Sequence, residues 1–141
     1  MFENCNGLVS IVLDDINTEN VVDLSEMFID CKNLKSVSLK NFNAEKVKEM
    51  NRMFMNCESL TSIDLSSFST PSLTNMNEMF SECKNLKYLD LSKLNSSIVQ
   101  SSSSIFSSIP NNGKIIYDSK LLTTNIITAI PSVWDKSDIS G

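Results

Sequence analysis

The chain has 141 residues, 41% hydrophobic and 21% charged, the balance of one ordinary globular domain. Its net charge is −5, and an acidic chain without a basic stripe is poorly suited to a phosphate backbone. Histidine is absent, which excludes Ser-His-Asp and Cys-His catalysis, histidine-ligated metals and a neutral-pH imidazole base.

An internal repeat organises the chain. Met-Phe recurs at Met1-Phe2, Met27-Phe28, Met53-Phe54 and Met79-Phe80 in steps of 26 residues, and one more step meets Ile105-Phe106. Cys5, Cys31, Cys57 and Cys83 keep the same step, as do Leu8, Leu34, Leu60 and Leu86. The spacing predicts four full repeats over 1–104, a degenerate fifth ending near 118, and a C-terminal helical cap over 119–141.

Within each repeat, apolar residues first alternate with polar ones, which marks a short strand with one buried face. Strands are expected near 10–13, 36–39, 62–65, 88–91 and 114–117, in one parallel sheet. Their inward columns are Ile11, Val37, Ile63, Leu89 and Ile115, and Leu13, Leu39, Leu65, Leu91 and Tyr117. Phe42 and a polar turn follow. Val47, Met50, Met53, Phe54 and Cys57 then recur at steps of three and four, the spacing of a short helical return. Ser25, Asn51 and Asn77 stand where they would cap it. The predicted fold is an α/β repeat solenoid of the leucine-rich type, with one parallel strand and one helical return per rung and about five rungs. No rung buries its apolar face alone, so rungs must stack. In the tail, Thr123 or Thr124 is expected to start a helix that Pro131 ends, and Trp134 to fold back on the last rung.

The pattern M-F-x-x-C-x-x-L-x-x-[IVL]-x-L, followed by V/L-x-x-M-x-x-M-F, resembles the BspA-like leucine-rich repeat family over residues 1–118. That family comprises bacterial and protist surface proteins, with a lipoprotein branch of this repeat length. The tail with Gly113, Tyr117, Pro131 and Trp134 resembles its terminal cap. The resemblance implies a non-enzymatic surface or adhesion role, a cell-surface or extracellular location, and host or matrix proteins as partners. It offers no invariant binding residue to transfer. The chain shows neither the secretion signal nor the N-terminal cap of such proteins, and it starts in mid-rhythm. The expected outcome is a piece of a longer array or self-association through the uncovered N-terminal end.

Few residues suggest chemistry. Four equivalent Cys on stacked rungs spread over roughly 15 Å at about 4.8 Å per step, too far for one zinc ion. They read as buried free thiols, and the Met columns as core. Asp64 and Asp90 share a strand column on adjacent rungs, but a flat solvated sheet gives a carboxylate pair no pocket in which to act on a substrate. No cofactor and no metal are called for, and no enzyme is expected.

The outward strand positions change from rung to rung while the inward ones stay apolar, so the exposed face is free to be specified by a partner. Tyr88, Asp64, Asp90, Ser62 and Lys40 are the candidate partner-binding residues, with Tyr88 as aromatic anchor. The expected partner is a protein or glycan, with no nucleic acid and no membrane insertion by this segment. The alternative is a structural spacer or assembly element of a longer repeat protein, with no ligand of its own. Charge alternates as well: repeat 1 carries six acids and no base, whereas repeat 2 carries six bases and three acids. Such alternation lets neighbouring rungs attract.

Overall fold

The computed structural model describes residues 1–141. Five strands recur where the alternating columns put them: β1 (Ser10–Val12), β2 (Ser36–Ser38), β3 (Ser62–Asp64), β4 (Tyr88–Leu91) and β5 (Lys114–Tyr117). All pairings are parallel and in register by one repeat, with Ile11 opposite Val37, Ile63 opposite Leu89 and Leu89 opposite Ile115. Ile63, Leu65, Leu89, Leu91 and Ile115 are fully buried. The chain is a parallel β-solenoid of about four turns, not five rungs, because five strands bound only four complete circuits.

The return is not helical. Its spacing of three and four residues is met by a succession of tight turns that hydrogen-bond outward to the next rung. Met50, Arg52, Phe54 and Asn56 donate their N–H groups to the carbonyls of Asn75, Asn77, Met79 and Ser81 at 2.8–3.0 Å. The intervening Met53, Met55 and Cys57 close three-residue turns onto Met50, Arg52 and Phe54. Two left-handed residues per return, Glu26 and Asp30, Arg52 and Asn56, Glu78 and Glu82, Ser104 and Ser108, interrupt any helix at φ of 52–60°. A backbone that alternates its donors between its own turn and the next rung forms a ladder, which the side-chain period alone cannot distinguish from a helix. The expected caps therefore have other partners: Ser25 Oγ donates to Asn51 Oδ1 at 2.7 Å, and Asn77 Nδ2 donates to Ser101 Oγ at 2.6 Å.

Inside this ladder the Phe column stacks from Phe2 through Phe28, Phe54 and Phe80 to Phe106, with ring centroids 5.4–6.0 Å apart and planes within 13°. Phe42 and Phe68 form a second stack at 5.0 Å. Met27, Met50, Met53, Met76 and Met79 fill the space between them and are buried. The first rung is different. Phe2, Cys5, Leu8, Ile11 and Leu13 are only partly buried, although their equivalents in later rungs lie in the core. Met1, Val9, Val12, Ile16 and Val22 are exposed there, and Met1, Ile16 and Val22 line an apolar groove of about 410 Å³.

The expected single five-strand sheet is interrupted: β1 pairs with β2, and β3 with β4 and β5, but no ladder joins β2 to β3. The strand exits change shape at this seam. In the first two rungs Asp15 and Asn41 are left-handed at φ 58°, a conformation that Asp and Asn tolerate. In the next two rungs Ser67 and Lys93 stand at those places, and an Asx turn takes over. Asp64 Oδ1 accepts the Ser66 N–H and Asp90 Oδ1 the Ser92 N–H, both at 2.9 Å. Where the two exit shapes meet, flanking bonds are lost. Leu13 N–H donates to Ser38 O and Leu65 N–H to Asp90 O, but Leu39 N–H has no bond to Asp64 O. Likewise Lys35 N–H donates to Val9 O and Lys87 N–H to Thr61 O, while Thr61 N–H makes no hydrogen bond within the chain.

The C-terminal cap contains less helix and more strand than the sequence suggests. Helix α1 (Thr124–Ala129) is six residues long, and Thr123, its N-cap, makes no side-chain capping bond. Strand β6 (Asp135–Asp138) then pairs with β5 in parallel. Leu122, Ile126 and Ile130 are buried, and Trp134 folds back as expected. Its ring lies on Gly113, where a Cβ would come within 2.6 Å of it, and its Nε1 donates to Pro110 O at 2.7 Å.

Candidate functional site

The candidate residues fall on the outer face of the sheet. Ser62 and Asp64 of β3 stand directly opposite Tyr88 and Asp90 of β4, so these four form one compact block. The next strand extends it with Lys114 beside Tyr88 and Ile116 beside Asp90. Alternation of side chains along each strand and the fixed register between strands position the block. Lys40 does not join it. It lies beyond the end of β2, across the seam, where with Asp64, Ser38, Leu39, Asn41, Ser66 and Ser67 it lines a downstream notch of about 380 Å³.

Tyr88 is half-buried, and Asp64 and Ser62 are exposed. Partial desolvation raises the Tyr88 hydroxyl pKa, and the carboxylates of Asp90 and Asp64 push it the same way. The phenol thus stays neutral and available as a donor beside two anions. Asp64 and Asp90 also have a structural task that sequence spacing did not reveal, since one oxygen of each holds the turn that ends its strand. Both keep a second oxygen for a partner. The signal was present in the D-x-S spacing of Asp64–Ser66 and Asp90–Ser92, absent from rungs 1 and 2.

A second notch of about 400 Å³ opens at the upstream end of the seam. It is lined only by polar residues, Lys35, Ser59, Thr61, Asn85 and Lys87, none of them among the sequence candidates. Elsewhere charge is consumed between rungs. Arg52 bridges Glu26 at 3.4 Å and Glu78 at 2.6 Å, and Glu58 lies 3.8 Å from Lys32 and 3.7 Å from Lys84. The alternation of repeat charge thus operates as contact between neighbours, each exposed pair contributing about 0–1 kcal/mol.

The cysteines occupy the interior. Cys31, Cys57 and Cys83 are buried and unpaired, and their thiols donate to the carbonyls of Phe2, Phe28 and Phe54 at 2.9–3.1 Å. Burial raises the pKa of all three, that of Cys83 to about 12, so thiolate chemistry is suppressed.

With rung, seam and cap defined, residues 1–118 match a family described as Mycoplasma protein of unknown function, DUF285. The chain belongs to that family. The match runs through β5 and stops where α1 and β6 begin to cap the solenoid. No curated protein and no solved structure matches the chain. DUF285 membership thus accounts for the repeat array and carries no activity with it. No helix is long and apolar enough to cross a membrane.

Proposed function

We propose that the chain is a non-enzymatic interaction or adhesion module of a surface or secreted repeat protein, recognising a protein or glycan through the outer strand face. The observation that carries this reading is the block of Ser62, Asp64, Tyr88 and Asp90, a half-buried tyrosine among small polar and acidic groups on paired strands. Tyrosine is a common interface anchor because it offers large contact area with few rotatable bonds. The likeness of the repeat to BspA-like leucine-rich repeat proteins supports the surface location and host or matrix proteins as partners.

Tyr88→Ala should weaken binding to immobilised matrix proteins or to cells by at least tenfold, the loss typical of a hot-spot residue of about 1–2 kcal/mol or more. Surface plasmon resonance with the wild type as reference reads this directly. Unchanged binding by Tyr88→Ala and Asp90→Ala would move the site to the turn or return face.

A second reading, a spacer or assembly element, draws support from the first rung. Its exposed Met1, Ile16 and Val22 line an apolar groove and Val12 is exposed on the same rung, and such a surface favours stacking against another rung or another copy. Light scattering should show concentration-dependent association that Val12→Ser/Val22→Ser abolishes; a monomer at every concentration contradicts it.

A further inference from the structure

The upstream notch differs from the rest of the surface in what it leaves unpaired. Lys35, Thr61 and Lys87 occupy one column of the repeat on three successive rungs. At about 4.8 Å per rung, the two lysine backbones stand roughly 10 Å apart with Thr61 between them. Lys32 and Lys84, three residues upstream in their repeats, are taken up by Glu58, but neither Lys35 nor Lys87 has a carboxylate within ion-pair distance. Between them the Thr61 N–H is free because the ladder is open at the seam. Two ammonium groups around a free main-chain N–H are donors for a single oxyanion.

The surroundings narrow the ligand further. Ser59 Oγ donates to Lys32 O at 2.6 Å and Asn85 Nδ2 to Glu58 O at 2.7 Å. The Ser59 oxygen and Asn85 Oδ1 remain as acceptors and one Asn85 Nδ2–H remains as a donor, a mixed set that suits hydroxyl groups. Tyr88 follows Lys87 directly in the chain and is partly exposed at the start of β4. Asp64 and Asp90 lie three residues beyond Thr61 and Lys87 along the same strands, where they repel closely spaced anionic groups. A space of about 400 Å³ is at the small end of ligand sites and holds about two sugar rings.

We propose that the notch formed by Lys35, Ser59, Thr61, Asn85 and Lys87 binds the carboxylate of an acidic sugar. The site deepens the adhesive reading of the strand face, naming a ligand class for its upstream edge. A polyanionic strand is disfavoured by the two aspartates, and a neutral sugar leaves both lysines without a counter-charge.

The test is an amide NMR titration of the full chain with a hyaluronan tetrasaccharide, which carries carboxylates and no sulfate, alongside chitotetraose and sodium acetate. The tetrasaccharide should shift the Thr61 and Lys87 amides saturably. Lys35→Ala/Lys87→Ala should weaken that response about tenfold or more, and Lys32→Ala/Lys84→Ala should leave it unchanged. Equal affinity for acetate would reduce the notch to a small-anion site and overturn the sugar assignment. Equal affinity for chitotetraose would overturn the role of the carboxylate. Silence at Thr61, or equal loss in both double variants, would remove the site altogether. Silence at Thr61 together with retained Tyr88-dependent binding to matrix proteins would remove only this site, whereas loss of Tyr88 dependence with the titration intact would remove only the wider reading.

Discussion

Phe54→Ala is expected to lower the free energy of unfolding by about 3–5 kcal/mol, the largest effect of any single substitution in the array. Phe54 is fully buried and stacked on both faces, 5.4 Å from Phe28 and 6.0 Å from Phe80. Its removal leaves a void that the neighbours cannot close. Ladder bonds fix the rung spacing, including the one from the Phe54 N–H itself to Met79 O at 3.0 Å. Collapse would have to break several such bonds to recover one contact. Phe2→Ala provides the contrast, because Phe2 stacks on one face only and is partly exposed. It should cost less than half as much. Urea denaturation followed by circular dichroism measures both. A Phe54→Ala loss below about 1 kcal/mol would show that the stack is not packed as described.

Removing residues 119–141 should make the chain aggregate. The cap buries Leu122, Ile126, Ile130 and Trp134, each less than 5% exposed. It also covers the edge of β5 with β6 over four residue pairs. β6 ends the sheet with Asp135, Lys136 and Asp138, and charged edge strands discourage further pairing. Without it, β5 presents free backbone groups, and Ile115 and Tyr117 lose their cover. Trp134→Ala tests the packing part alone and should cost about 3–5 kcal/mol while leaving the β6 edge in place. Size-exclusion chromatography with light scattering separates the two variants. A monomeric, folded deletion would contradict the capping role.

The strand half of each rung was legible because a period of two has one structural meaning. Ile63 and Leu65 were placed inward by alternation alone, and both are buried. The return half was misleading. Met50, Met53, Phe54 and Cys57 follow helical spacing, yet the same residues line the inside of a chain of tight turns. Only the left-handed residues tell the two apart. The first of each pair is Glu26, Arg52, Glu78 or Ser104, residue types that do not announce a positive φ. The seam was hidden for another reason. It follows from the exchange of Asp15 and Asn41 for Ser67 and Lys93, a change in the strand-exit turn that disrupts pairing between neighbouring rungs. Of the candidate site, the four-residue block on β3 and β4 was readable from the columns. Lys40 lies across the seam from this block and shares a notch with Asp64, an arrangement the repeat columns do not encode, and β6 was missed because Asp-Lys-Ser-Asp carries no strand pattern.

The two ladders also fix how such an array changes size. Glu26, Arg52 and Glu78 donate to carbonyls 25 residues ahead, in Asn51, Asn77 and Ser103. A rung one residue longer or shorter would put donors opposite donors along the whole return, and any other length would shift the Phe stack out of line. Insertions of a few residues within a rung would disrupt these bonds, whereas adding one complete 26-residue unit preserves them. An array of this kind can lengthen or shorten only in whole units of 26 residues. Each step lengthens the outer face by about 4.8 Å and leaves the existing contacts untouched.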